Sequence, residues 1–396
     1  MTKPASQPAP ETDPNAAERF RVILSAVAIV TLVGVSLSVS GPLLALEMER
    51  WGTPSTIAGL TATLAGVGNL MFVPFVPRLA ARFGVKWLVG TMLLLAAGLH
   101  FAFWALPNLW VWAVFRFMLG ASIGTLFVLS EYWISAAANP LRRGFIMGAY
   151  ATALALGFAI GPLMLTVTGT QGMLPYAATA VLILTGLMPL KLIGPSAATV
   201  HGSPRASVLS FVRLAPAATL AAFTVGAIEI GAFTQLPIHG LRMGWPEASA
   251  AMLVSAFAIG NVLFQMPMGW LADRLDRRKI LLGIALSATF IACCLPLAGS
   301  AFWPHAGLLM LLGGLVGALY TVGLAHLSSR FAQADLVSAN AAFVMLYSMG
   351  QMAGPPLLGA GIDVAGTWGV PVTVAMVLAL YGFVVASRLR AGPARG

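Results

Sequence analysis

Residues 115–133 read FRFMLGASIGTLFVLSEYW, an apolar run that carries Arg116 near one end and Glu131 near the other. An ionised side chain at the centre of a bilayer costs about 2.5–3.5 kcal/mol even on lenient insertion scales. Such residues point into a helix bundle or a watery cavity, where they mark a path for an ion or a substrate. Arg116 and Glu131 are 15 positions apart. On a helix this leaves them about 60° out of register, on one broad face. The same spacing puts them about 22 Å apart along the axis, so each needs water or a partner on another helix.

The rest of the chain has the character of that run. Of its 396 residues, 59% are hydrophobic and 9% are charged, and the mean hydropathy is +0.90. A soluble domain of this length carries far more charge, so the composition places the chain in a bilayer, crossing it many times. Twelve apolar stretches of spanning length are cut by Gly, Pro or charge, at about 21–45, 55–77, 86–106, 109–136, 144–168, 173–194, 210–238, 248–271, 279–299, 306–329, 337–361 and 368–388. Residues 1–20, with their prolines and acids, read as a flexible tail, and 389–396 as a second tail. The acids in the first tail also argue against a cleaved signal peptide. Cys293 and Cys294 are neighbours in an apolar run and read as small packing residues.

The basic residues set an orientation. With both termini in the cytoplasm, 19 of the 22 Lys and Arg fall on the cytoplasmic side. Only Arg50 and Arg242 fall outside, and Arg116 lies within the membrane. This bias is the positive-inside rule for an inner or plasma membrane. It accounts for the net charge of +10 through anionic lipid head groups, with no nucleic acid as partner.

Residues 195–209 are polar and divide the chain into halves, 21–194 and 210–388. The halves repeat at an offset of about 193: Gly68-Asn69 recurs as Gly260-Asn261, Gly120 and Gly124 as Gly313 and Gly317, and Gly157-x3-Gly161-Pro162 as Gly350-x3-Gly354-Pro355. The expected fold is therefore an all-α membrane protein with twelve transmembrane helices in two pseudo-symmetric six-helix bundles. Paired halves with a site between them near the midplane are the architecture of secondary transporters. Gly-Pro inside the fifth and eleventh spans offers hinges there, at Gly157, Gly161, Pro162, Gly350, Gly354 and Pro355.

The loop after the eighth span, GWLADRLDRRK, resembles the first loop motif of the major facilitator superfamily through Gly269, Asp273, Arg274, Arg277 and Arg278, with Asp276 in place of a usual Gly. In the first half the matching place, PRLAARFGVK, keeps Arg82, Gly84 and Lys86 but lacks the acid. RFMLGASIG, residues 116–124, is similar to the fourth-helix motif of that superfamily, and Gly148-x8-Gly157-x3-Gly161-Pro162 to the fifth-helix motif of its proton-coupled exporters. The Gly68-Asn69 pair and the serine-Glu131 end of the fourth span look most like the YcaD-like branch. The resemblance implies a cytoplasmic gate at the Gly269–Arg278 loop, a central cavity lined by helices one, four, seven and ten, and an arginine tied to proton coupling.

Glu131 and Glu229 are the two acids deep within spans. With the resemblance, Arg116 and Glu229 are expected to face each other across the halves, either as a pair that breaks during transport or as a permanent tie. Glu131 is expected either to carry protons, since a carboxyl in a dry pocket can exchange one near neutral pH, or to tether its helix. Asn69, Tyr150, Gln235, Asn261, Gln265, Tyr347 and Gln351 also fall inside spans and are candidates for substrate binding or for interhelical hydrogen bonds. An alternative is copper-type metal import by His239-x3-Met243 and Met345-x3-Met349, whose imidazole and thioether groups suit Cu(I). A receptor or scaffold without transport is the remaining alternative. No enzyme motif is present, such as His-Glu-x-x-His, Gly-x-Ser-x-Gly or a phosphate loop. The expectation is a monomeric, proton-coupled transporter of a small solute by alternating access, export favoured over import, without a bound cofactor.

Overall fold

The computed structural model describes residues 16–137, 143–191, 216–329 and 333–390, and within them every regular element is a helix. Lipid offers no partner for backbone groups, so apolar segments satisfy their N–H and C=O groups internally. The first half holds α1 (Ala16–Arg50), α2 (Ser55–Phe83, with a 3-10 turn at Val73–Phe75), α3 (Val85–Ala105), α4 (Leu109–Ala137), α5 (Arg143–Thr168) and α6 (Leu174–Leu190). The second holds α7 (Pro216–Arg242), α8 (Glu247–Ala272), α9 (Arg277–Cys294), α10 (Phe302–Ser328), α11 (Gln333–Ala365) and α12 (Gly369–Arg390).

Among the described residues, nine stretches are long and apolar enough to cross a membrane. One of them, Ala342–Arg390, contains most of α11 and all of α12, while α5 and α6 supply the shorter apolar helices Thr152–Thr168 and Leu174–Leu190. α1 begins at Ala16, inside the stretch 1–20 read as a tail, and α12 reaches Arg390. The linker 195–209 lies outside the described residues.

The repeat seen in the sequence becomes a repeat of packing. α1 packs on α5 and α2 on α4 in the first half; α7 packs on α11 and α8 on α10 in the second. Small residues let these backbones approach, because in lipid packing rather than hydrophobicity drives helix association. A Cβ on Gly68 or Gly120 would overlap the carbonyls of Phe117 or Ala65. In the copy, Gly260 and Gly313 meet the carbonyls of Met310 and Phe257 in the same way.

The two halves meet along α1–α7, α2–α11 and α5–α8. Gly59 lies against the Pro355 carbonyl, Thr63 Oγ1 donates to the Met352 carbonyl at 2.6 Å, and Ser255 Oγ to the Ala159 carbonyl at 3.3 Å. Among the described residues, hydrogen bonds between the halves include those of Arg50, Ser55, Thr56 and Arg242 at the end of the molecule remote from Ala16 and Arg390, called the far end below. The end that carries Ala16, Arg390 and the basic loop between α8 and α9 is the basic end. Two far-end turns are copies of each other, Arg50-Trp51-Gly52-Thr53-Pro54 and Arg242-Met243-Gly244-Trp245-Pro246. Gly52 (φ 69°) and Gly244 (φ 83°) take the left-handed conformation, which side chains with a Cβ resist, and Pro54 and Pro246 then start α2 and α8.

Candidate functional site

Glu229 sits at the middle of α7, half-buried, in a polar cluster otherwise surrounded by apolar helix faces. Its Oε1 accepts from Asn261 Nδ2 of α8 at 3.0 Å, and its Oε2 from the Tyr347 hydroxyl of α11 at 2.6 Å. Gln265 Nε2, one turn along α8, donates to Asn261 Oδ1 at 2.9 Å, and Gln351 is near Tyr347, one turn along α11. Asn261 is held in place because its Oδ1 lies over Gly317, where no Cβ intervenes; Asn69 lies over Gly124 in the same way. Tyr320 of α10 stacks edge-on against Tyr347 with ring centroids 5.5 Å apart. It is within electrostatic range of Glu229 and also of Glu131, which belongs to the other half.

Glu131 is exposed and near the basic end of α4, in range of Tyr150 of α5 and of Tyr320. The two acids thus approach one tyrosine from opposite halves. Among the described residues, neither acid pairs with an arginine or lysine.

The pairing of Arg116 with Glu229 is absent from this structure. Arg116 is only 5% exposed, its Nε has no hydrogen-bond partner, and its electrostatic neighbour is Tyr176 of α6 in its own half. Helical spacing put Arg116 and Glu131 on one broad face, but about 22 Å along the axis separates their surroundings: Tyr176 is in range of Arg116, and Tyr150 and Tyr320 are in range of Glu131.

The other candidates divide into groups. Asn261, Gln265, Tyr347 and Gln351 gather at Glu229, while Asn69 is half-buried in the first half. Gln235 is fully buried; its amide donates to the carbonyls of Ser55 at 3.1 Å and Pro355 at 3.0 Å, tying α7 to α2 and α11. Tyr150 is buried as well, its hydroxyl 3.0 Å from Ser130 Oγ. Both are engaged between helices.

α5 and α11 run unbroken through Pro162 and Pro355. Their glycines are points of close approach: Gly157 accepts from Ser38 Oγ at 3.1 Å, and Gly161 lies against the same hydroxyl. Gly350 and Gly354 press on the carbonyls of Phe223 and Ala227 of α7.

At the basic end, Asp276 caps α9 by accepting from the Arg278 N–H at 2.9 Å. Arg277 donates to the carbonyls of Ala272 (3.0 Å) and Ala325 (3.2 Å) and faces Asp273 at 3.8 Å, and Arg274 stacks over Trp270 at 3.9 Å. These bonds lie within the second half, around an open depression of about 580 Å³. Gly269 sits in the last turn of α8 just before this loop.

His239 pairs with His305 of α10, Nε2 to Nε2 at 3.1 Å, with both Nδ1 atoms buried and unpartnered. Among the described residues no group of three or more His, Cys, Asp or Glu is placed so that it could hold a metal ion. Met243 lies in the far-end turn, and Met345 and Met349 are on an exposed face of α11.

Tyr320 and His305 were not singled out from the sequence, because their roles come from packing against Tyr347 and His239 on other helices. Arg50 and Arg242 did carry a positional signal, as the two exceptions to the charge bias.

The profile of the Major Facilitator Superfamily matches residues 26–253 and 243–396. The chain is 27% identical over 353 residues to the MFS-type transporter YfkF of Bacillus subtilis (strain 168), covering 86% of this chain and 87% of that one. It is 23% identical over 329 residues to the MFS-type transporter YcaD of Salmonella heidelberg (strain SL476), covering 82% and 84%. Among solved structures it is similar in fold to the nucleoside transporter NupG, with a TM-score of 0.76 at 13% identity over 94% of this chain and 98% of that one. A bacterial homologue of the human lysosomal transporter Spinster, inward-facing and occupied, gives a TM-score of 0.73 at 14% identity over 97% and 98%. With its helical repeat, its apolar spans and a profile match along nearly its whole length, the chain is an integral multi-pass membrane protein that belongs to the major facilitator superfamily of transporters.

Proposed function

We propose that the protein moves a small solute across an inner or plasma membrane by alternating access of its two halves, coupled to protons, with Glu229 as the proton-binding group. The supporting observation is the set of partners around Glu229. A carboxyl held by one amide and one hydroxyl, with no cation beside it, can take up or lose a proton without orphaning a charged partner. Glu131 is the second acid, nearer the basic end than Glu229, and Tyr320 is in electrostatic range of both. Arg116, a buried cation whose Nε lacks an acceptor, is the third coupling residue and gains its acceptor in another stage of the cycle. Asn69, Asn261, Gln265, Tyr347 and Gln351 supply the few neutral polar groups a substrate site in an apolar cleft requires.

The solute is transported unchanged, by a monomer with both termini in the cytoplasm. Export is favoured by the glycine-proline pattern of α5. The loop from Gly269 to Arg278 acts as a gate at the basic end, and the Gly-Pro segments of α5 and α11 as hinges.

The test is reconstitution into vesicles containing a pH-sensitive dye, screened with small anions, zwitterions and amphiphiles after a thermal-shift survey for binders. Cu(I) forms a separate arm that tests the methionine and histidine pairs. A solute that drives proton movement in the wild type is expected to drive none in Glu229→Gln. Solute flux indifferent to a pH gradient, or normal proton movement in Glu229→Gln, would overturn the coupling role.

A further inference from the structure

The far end is held by two arginines that are copies of each other. Arg50 and Arg242 are 192 positions apart, at the last turns of α1 and α7. Each reaches into the opposite half. Arg50 donates through Nε to Glu247 at the start of α8 at 3.0 Å, with a second bond from its Nη2 to the same carboxylate. It also donates to the carbonyl and hydroxyl of Thr170, just beyond α5, at 3.1 and 3.0 Å. Arg242 donates to Glu49 of α1 at 3.1 Å and to Ser55 Oγ at the start of α2 at 3.0 Å, and lies 3.7 Å from Asp363 in the last turn of α11. Glu49 and Asp363, just outside the apolar stretches 21–45 and 337–361, thus sit in terminal helical turns.

The partners are copies too. Ser55 and Glu247 are 192 positions apart, and Thr170 and Asp363 are 193 apart. The acid, however, has changed place. In one copy it starts the even-numbered helix α8 (Glu247) and a hydroxyl follows the odd-numbered helix α5 (Thr170). In the other, the hydroxyl starts the even-numbered helix α2 (Ser55) and the acid lies in the last turn of the odd-numbered helix α11 (Asp363). The Asp363 carboxylate also accepts from the N–H groups of Ser55 at 2.9 Å and Thr56 at 2.8 Å, capping α2 from across the boundary. An anion at a helix N-terminus is favoured by the helix dipole.

We infer that Arg50 and Arg242 form a duplicated latch that shuts the far end, and that both clasps part each time this end opens. Single ion pairs of this exposure contribute little. Here each arginine makes several charge-assisted bonds to two elements at once, and both clasps bridge the same boundary, so they close or part together. The inference rests on alternating access but not on a substrate or a coupling ion.

The test is distance measurement by pulsed electron resonance in lipid nanodiscs, with Cys293 and Cys294 replaced by serine. Spin labels go on Leu106→Cys and Ser300→Cys, exposed far-end positions in opposite halves. The parent is expected to show a dominant short distance. Arg50→Ala with Arg242→Ala is expected to raise the ratio of long to short distances about tenfold. Glu247→Ser is expected to give part of that shift, and adding Thr170→Asp, which moves the acid to the place it holds in the other copy, to reverse it. Unchanged distances in the double arginine variant would overturn the latch, as would failure of Thr170→Asp to reverse the shift. If the double variant does not fold, Arg50→Gln and Arg242→Gln tested singly decide by the same readout. The distances need no transported solute, so a failed flux assay with responsive distances rejects the proposed coupling and leaves the latch standing.

Discussion

At the scale of the residue, the site depends on how Glu229 is held. Its two oxygens have separate neutral donors on separate helices, Asn261 and Tyr347. Tyr347→Phe removes the donor but keeps the ring against Tyr320. It is expected to cost about 1 kcal/mol in a reversible unfolding measurement, in the range of interhelical hydrogen bonds in membranes. It is also expected to change the pH dependence of flux while leaving the far-end distances alone. Glu131→Gln separates the two roles of the second acid: loss of pH-dependent flux in a well-folded variant marks a proton carrier, and an unchanged pH profile excludes that role. Glu229 was legible in the sequence as a lone acid in an apolar run. Its partners were not, since Asn261, Tyr347 and Tyr320 come from three other helices.

At the scale of the element, the helices are organised by glycines that are copies between the halves. Gly120 and Gly313 each lie under a backbone carbonyl of a neighbouring helix. Gly120→Leu or Gly313→Leu is expected to destabilise the protein by about 1–3 kcal/mol, as overpacking does elsewhere, seen as a lower melting temperature in detergent. Gly98→Leu and Gly283→Leu, where nothing lies within 4 Å of the added Cβ, are the controls and are expected to be nearly neutral. The pairing of these glycines was visible as a repeat at a constant offset. That they join α2 to α4 and α8 to α10 was not, because a spacing of four marks a close contact without naming the helix on its other side.

At the scale of the whole molecule, the described residues bond across the halves at the far end, and the basic loop between α8 and α9 lies at the other. With the Cys293 and Cys294 replacements in place, Ser300→Cys is expected to react with a membrane-impermeant maleimide added to intact cells. Leu275→Cys, exposed in the α8–α9 loop, is expected to react only after permeabilisation, since positively charged loops stay in the cytoplasm. The opposite pattern would reverse the orientation. The copied turns Arg50–Pro54 and Arg242–Pro246 were present in the sequence but indistinct there, since Gly and Pro punctuate every loop of this chain. Only their convergence on a common boundary shows why two arginines depart from the charge bias.

By itself the sequence determined the membrane class, the all-helical character, the basic end and the repeated glycine pattern. These follow from composition and from spacing along one chain, which the bilayer reads directly as apolar length and loop charge. Only the tertiary structure decided which charges meet: Arg116 turns to Tyr176, Glu229 to Asn261 and Tyr347, Arg50 to Glu247, and Arg242 to Glu49 and Asp363. The reason is the solvent. In water an amphipathic stripe tells which face of a helix turns inward, but in lipid the outer face is as apolar as the core. Helix rotation is then set by close contacts such as Gly68 on Phe117 and Gly260 on Met310, which exist only once the helices have packed.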